Sequence, residues 1–221
     1  MVETLEVNQM IPQFINEMKC QNNVNFNNLS EQFLGEFLGL FAGDGNLFKT
    51  KTYNYRSFLF FGPDEFEFMN KIKKLLTISF NQKPIEGKRK DKTGRIYLFY
   101  LFYCSKRVFY LVKHFLIWNK LQVKTYSVHL REENYSDQFK IGFLRGCFDS
   151  DGHISKKTIM FASVSKELIR DVTNFLDHFK IEYNCRLNKD KRSNRKDIYH
   201  IVLRKKHHSV FINLIEPRNV K

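Results

Sequence analysis

At 221 residues with 43% hydrophobic content the chain can bury a core as one or two small domains, and its 23 Phe and 10 Tyr make that core aromatic. Lys and Arg number 37 against 23 Asp and Glu, a net charge of +14 that asks for a polyanionic partner, either nucleic acid or an anionic membrane surface. No apolar run reaches the ~20 residues of a bilayer span and no signal-peptide pattern opens the chain, so no membrane is expected and nucleic acid is favoured. Cys20, Cys104, Cys147 and Cys185 form no CxxC pair and read as isolated reduced thiols of an intracellular protein.

Residues 1–32 form an N-terminal extension, with a short helix at Ile11 to Met18 and an Asn-rich connector. Ser30 is placed to cap the next helix, although Phe33 in the third position rules out a capping box. That helix lies in the stretch Phe33 to Asn46, FLGEFLGLFAGDGN, in which Gly35, Gly39 and Gly43 recur every four residues before Asp44. Adding 107 to each number lands on Gly142, Gly146, Ser150 and Asp151, in GFLRGCFDSDGH. Glycine inside a helix costs roughly 1 kcal/mol relative to alanine, so the rows need a compensating return. Residues four apart share a helix face, and a row of small ones lets a second backbone come close. The two helices are therefore expected to be each other's partner, with Asp44 and Asp151 side by side where they end. A carboxylate at a helix C-terminus is disfavoured by up to about 1 kcal/mol, and two together repel. Divalent cations between them would resolve both problems.

After the first motif, Asn46 to Phe61 reads as two short strands with a turn near Tyr53 and Asn54. A helix follows on Phe68, Met69, Ile72, Leu75 and Leu76. Adding 100 gives Leu168, Ile169, Val172, Phe175 and Leu176, apolar at every position. Later strands are expected at Gln82 to Arg89 and Ile96 to Cys104, then a helix at Lys106 to Trp118. The second half offers strands at Glu182 to Leu187 and Ile198 to Arg204, and a helix through His208 to Ile215. The fold class is α+β, two αββαββα repeats at 33–120 and 137–221 joined by a linker at 121–136. An antiparallel sheet with helices on one face leaves the other face open.

Basic residues gather on the strands and turns. The first half carries Lys49, Lys51, Arg56, Lys88, Arg89, Lys90, Lys92 and Arg95, with Tyr53, Tyr55 and Gln82 among them. The second carries Lys156, Lys157, Arg186, Lys189, Lys191, Arg192, Arg195 and Lys196, with Asn188 and Asn194. Cations suit phosphates, while Tyr, Asn and Gln suit base edges.

FLGLFAGDG (Phe37 to Gly45) and LRGCFDSDG (Leu144 to Gly152) resemble the two signature motifs of a LAGLIDADG homing endonuclease in its single-chain form, and the likeness covers nearly all of the chain after residue 32. It implies saddle-shaped sheets astride DNA, packed through the two motif helices. It also implies a monomeric endonuclease making a double-strand break with 3′ overhangs in a long, asymmetric duplex target. By resemblance Asp44 and Asp151 are the metal ligands and catalytic acids, helped by the carbonyls of Gly43 and Ser150. The cofactor is Mg²⁺, two or three ions, with Mn²⁺ as a substitute and Ca²⁺ supporting binding without cleavage. Lys124 is the candidate catalytic lysine, with Lys120 as its alternative. Arg218 or Lys221 would be the counterpart near the C-terminus. A Gln often found at the end of the second strand is replaced by Gly62-Pro63 and Val164-Ser165, which puts the water network in doubt. Asp149, matched by Ala42, is expected to hydrogen-bond near the helix end, and His207-His208 to be an exposed pair.

Two other functions share the architecture: an RNA-splicing maturase, acting on its host intron RNA, and a non-catalytic DNA-binding regulator. The abundance of Phe, Lys and Asn fits an AT-rich genome, and thus the cytoplasm of a microbe or an organelle.

Overall fold

The computed structural model describes residues 24–49, 55–119, 124–189 and 197–219. The expectations for Ile11 to Met18, Cys20, Lys51, Tyr53, Asn54, Lys120, Lys191, Arg192, Asn194, Arg195, Lys196 and Lys221 lie outside them.

Each half has the element order read from the repeats. The first runs α1 (Glu31–Asp44), β1 (Gly45–Lys49), β2 (Tyr55–Phe61), α2 (Phe66–Ser79), β3 (Ile85–Lys90), β4 (Ile96–Cys104) and α3 (Lys106–Phe115). A short pair, β5 (Leu116–Ile117) with β6 (His129–Leu130), then flanks a 3₁₀ turn at Lys124–Tyr126. The second half runs α4 (Asp137–Asp151), β7 (Gly152–Ile154), β8 (Ile159–Ser163), α5 (Lys166–His178), β9 (Tyr183–Asn188), β10 (Ile198–Leu203) and α6 (His208–Ile215). Both sheets are four-stranded and antiparallel, in the orders β1-β2-β4-β3 and β7-β8-β10-β9.

The chain divides into two compact units that do not coincide with the sequence halves. One holds the residues through Phe33 together with Gly45–Val112; the other holds Leu34–Asp44 and Lys113–Lys221. The first motif helix thus belongs, from Leu34 onward, with the second motif helix.

In the first unit, α2 buries Phe68, Met69, Ile72 and Leu76. Leu59, Phe61, Leu101 and Tyr103 of the sheet are buried as well, and Phe61 meets Phe68 edge-on at 5.8 Å. The Tyr103 hydroxyl donates to the carbonyls of Leu76 and Gln82, and burial holds its pKa far above the phenol range. The β3–β4 turn is closed by Asp91, whose carboxylate accepts from the amides of Thr93 and Arg95, while Gly94 takes a left-handed φ of 84°.

In the second unit, α5 buries Leu168, Ile169, Val172, Phe175 and Leu176, the set matched to α2 by the offset of 100. Ser136 and Ser165 cap α4 and α5 by accepting from Phe139 N and Leu168 N. Ser30 caps α1 in the same way, accepting from Phe33 N at 3.1 Å.

Two expectations change. The helix read as Lys106 to Trp118 stops at Phe115, because Arg131 N bonds the Phe115 carbonyl and Leu116–Ile117 pairs with His129–Leu130. That pairing also gives the 121–136 segment a strand of its own. His207 and His208 are half-buried, not exposed, with His207 against Glu182 and His208 against the Leu203 carbonyl.

Candidate active site

The glycine rows bring α1 and α4 into backbone contact within the second unit. A Cβ added to Gly35 would lie 2.1 Å from the Phe139 carbonyl oxygen, and one added to Gly39 2.4 Å from that of Phe143. At Gly146 it would lie 2.2 Å from the Glu36 carbonyl oxygen. These neighbours are main-chain atoms that cannot rotate away, so no side chain fits at these crossings. The contact continues to the helix ends. A Cβ on Gly43 would stand 2.3 Å from Ser150 Oγ and 2.9 Å from Asp151 Oδ2. Ser150 turns its hydroxyl back to the carbonyls of Gly146 and Cys147.

Asp44 and Asp151 are the last residues of α1 and α4, half-buried and exposed respectively. Lys124 reaches the same place from the 3₁₀ turn. Its ammonium donates to the carbonyls of Phe41 (2.7 Å), Ala42 (2.7 Å) and Gly43 (3.0 Å), capping the negative end of α1. Burial pushes its pKa down to about 8 against the opposing pull of the Asp151 and Asp44 carboxylates. The lysine, both acids, Gly43 and Ser150 therefore meet at one place. Among the described residues no cluster of three or more His, Cys, Asp or Glu side chains forms. A cation bound here would find two carboxylates and main-chain carbonyls as oxygen donors and would keep several waters, a donor set that fits a hard divalent ion such as magnesium.

Behind this end lies a charged clasp. Glu36 of α1 and Arg145 of α4 are 0% and 3% exposed and pair at 3.2 Å. Arg145 also donates from Nε to the Ile215 carbonyl. Arg218 joins Glu36 through Nε at 2.6 Å, so it serves this clasp and not the metal site for which the sequence offered it. Asp149 accepts from the main-chain amides of Arg218 and Asn219 at 2.9 Å, and the Asn219 side-chain amide donates to the Asp149 carbonyl. Its expected role near the helix end is thus visible. Burial raises its pKa to about 6 despite those amides. Glu36 and Arg145 went unremarked in the sequence. A single acid within the apolar run 33–41 and a single base within the apolar run 141–148 were the available signal.

The candidate DNA contacts fall on both faces of the first sheet but on one face of the second. In the first, register pairs Arg56 with Cys104, Phe58 with Phe102 and Phe60 with Tyr100, and continues to Ile85, Gly87 and Arg89 of β3. Those residues share the face away from α2. Lys88 pairs with Phe99 on the other face, next to Glu86, which reaches back to Lys73 of α2 at 2.6 Å. Tyr55 also turns to the helix side, meeting Phe109 and Tyr110, with Lys49 5.3 Å from its ring. Gln82 precedes β3, and Lys90 sits beyond an irregularity at Arg89/Lys90, opposite Ile96. Arg95 lies at the turn, its amide held by Asp91. In the second sheet, Asn184 pairs with Val202, Arg186 with His200 and Asn188 with Ile198, all on the face away from the helices. Lys156, Lys157 and Lys189 are exposed in the connections. Asn184, His200 and His153, which pairs with Met160, complete that polar face and were not among the predicted contacts.

A family model described as a LAGLIDADG-like domain matches residues 138–215. The solved structure of mesophilic variants of the homing endonuclease I-DmoI superposes with a TM-score of 0.60 at 17% identity, covering 85% of this chain and 97% of that one. The chain has the LAGLIDADG homing-endonuclease fold. The homing endonuclease I-WcaI, bound to its DNA recognition sequence, matches this chain with a TM-score of 0.53 at 18% identity, covering 87% and 84%. The N-terminal LAGLIDADG domain of DUF199/WhiA does so with 0.53 at 15%, covering 89% and 87%. In sequence, the replication factor C small subunit of Methanocaldococcus jannaschii is 30% identical over 171 residues. That match takes in 77% of this chain, which spans only 8% of the length of that relative.

Proposed function

We propose that the chain is a site-specific DNA endonuclease, hydrolysing one phosphodiester in each strand of a long duplex target and leaving 3′ overhangs. The carrying observation is that Asp44, Asp151 and Lys124 converge where two glycine-packed helices end. The solved relatives with target DNA support the partner: structures of I-DmoI with DNA are described with Ca and with Mn, and one variant with its target DNA in the presence of Mg.

Asp44 and Asp151 would hold Mg²⁺, with the carbonyls of Gly43 and Ser150 beside them. Bound ions would supply an activated water and neutralise charge on the phosphate and leaving oxygen. Lys124 fixes the carbonyls at the end of α1 and keeps a positive charge next to both acids. The clasp of Glu36, Arg145 and Arg218 holds the helices that carry those acids in register. The exposed faces of the two sheets, with their Arg, Lys and Asn side chains, would hold the duplex. A monomer suffices for a double-strand break, since both motifs sit in one chain. An intron origin and a place in microbial cytoplasm or an organelle belong to this reading as well, while a maturase acting on the host intron RNA is its alternative.

The test is selection and cleavage of a randomised duplex library with Mg²⁺, Ca²⁺ or EDTA, using wild type, Asp44→Asn, Asp151→Asn and Lys124→Met. Wild type should cut in Mg²⁺ and only bind in Ca²⁺. Both Asp variants should bind yet lose double-strand cleavage by about a hundredfold or more, and Lys124→Met should follow with binding intact. Tight binding by wild type without hydrolysis of any duplex would leave the regulator or the maturase instead.

A further inference from the structure

The face of the first sheet turned away from α2 has an aromatic centre. Phe58 and Phe60 of β2 and Tyr100 and Phe102 of β4 occupy its two middle strands, all half-buried. Phe58 stacks on Phe60 at 5.8 Å with an interplanar angle of 2°, and on Phe102 at 5.0 Å. Tyr100 folds over Gly87 of the edge strand so closely that a Cβ there would fall 2.3 Å from the ring. Phe48, 52% exposed, extends the patch beside Arg56. Cations border it at both ends: Arg56 at one, Arg89 and Lys90 at the other.

The second sheet is built on the same register but carries a different chemistry. The pairs Leu59↔Leu101 and Phe161↔Ile201 align the two sheets, so Phe58, Phe60, Tyr100 and Phe102 correspond to Met160, Ala162, His200 and Val202. Its edge strand adds Asn184, Arg186 and Asn188, where the first sheet has Ile85, Gly87 and Arg89. One sheet therefore presents mainly hydrogen-bonding groups around a small apolar centre. The other presents four rings and few donors.

We infer that the aromatic face of the first sheet reads thymine C5-methyl groups in the major groove, giving the target a T-rich half-site recognised mainly by apolar contact. This deepens the endonuclease reading and rests on it. Thymine is the one base that offers an apolar group to the major groove, and Phe is among the side chains that meet it. An apolar centre bordered by cations matches a groove floor bordered by phosphates. An apolar partner protein would leave Arg56, Arg89 and Lys90 facing no opposite charge.

The experiment takes the duplex selected from the library and replaces thymine by uracil one position at a time, which removes a single methyl group. Wild type should lose about fourfold in affinity for each methyl removed from a contiguous block of the site, and little elsewhere. Phe58→Ser and Phe102→Ser should abolish that uracil penalty, whereas Arg186→Ala should leave it intact. The proposal is overturned if uracil is neutral at every position, if the penalty survives unchanged in both Phe variants, or if single-stranded RNA binds more tightly than any duplex. It is equally overturned if the chain associates with itself through these rings. A library from which no duplex is retained would instead bring down the endonuclease reading, and this inference with it.

Discussion

At the scale of single residues, the two acids and the lysine were legible for different reasons. Asp44 and Asp151 stand out because each ends a small-residue row and precedes a glycine, a pattern carried by the chain itself. Lys124 is one of 37 cations, and what sets it apart, three carbonyls of α1 on one ammonium, is a tertiary contact across about eighty residues. Only the family resemblance pointed to it. Asp171 carried no sequence signal at all, yet its carboxylate accepts from Leu130 N at 2.7 Å, tying α5 to β6. Burial raises its pKa to about 6, against the pull of that amide. In the fold the carboxyl holds its proton at pH values where the unfolded chain has released it. Its contribution to stability is therefore greatest below pH 4, is lost as the pH rises through 6, and is flat above. Asp171→Asn keeps an acceptor for Leu130 and removes that loss. Urea unfolding at pH 4 and pH 7 should show the variant gaining about 2 kcal/mol on wild type between the two, allowing for partial exposure. An identical difference at both pH values would refute the assignment.

At the scale of elements, the glycine rows make a sharper claim than the helices themselves. Helix and strand positions followed from periodicity, and the offset of 100 between α2 and α5 survives residue by residue in their buried faces. The matching row on α4 named the partner of α1, but not that this partnership would part α1, from Leu34 onward, from the compact unit holding the rest of its sequence half. The end of α3 escaped for a related reason: Leu116–Ile117 continues the apolar pattern, and only pairing with His129–Leu130 stops the helix. The last crossing of α1 with α4 tests the packing argument. Gly43→Ala drives a methyl into Ser150 and should destabilise the protein by about 1–3 kcal/mol, despite alanine's better helix propensity. Ser150→Gly vacates the space, so the exchanged pair Gly43→Ala with Ser150→Gly should recover most of that loss in a thermal melt. Gly39→Ala meets main chain on α4, and no single side-chain change there should rescue it. Additive effects of Gly43→Ala and Ser150→Gly would mean the helices are not in contact at that level.

At the scale of the whole molecule, a net charge of +14 indicates that the partner is a polyanion without indicating where it binds. Sequence proximity grouped Tyr55, Arg56, Lys88 and Arg89 as one surface, but strand residues alternate faces, and Tyr55 and Lys88 turn toward the helices. The alternation along β2 alone separates Arg56, Phe58 and Phe60 from Tyr55, Ser57 and Leu59. That separation divides the binding energy into two measurable parts. Each phosphate neutralised should add about −0.9 to the slope of log affinity against log salt concentration, while apolar contacts with bases should add nothing. Arg56, Arg89, Lys90, Lys156, Lys157, Arg186 and Lys189 are placed on the outward faces and connections, so a slope of about −6 is expected for wild type. Arg89→Ala should flatten it by about 0.9 and weaken binding to every duplex alike. Phe58→Ser should weaken binding to the selected duplex several-fold and leave the slope untouched. If Phe58→Ser flattened the slope, or Arg89→Ala left it unchanged, cations and rings would not hold the separate roles that their places in the sheet give them.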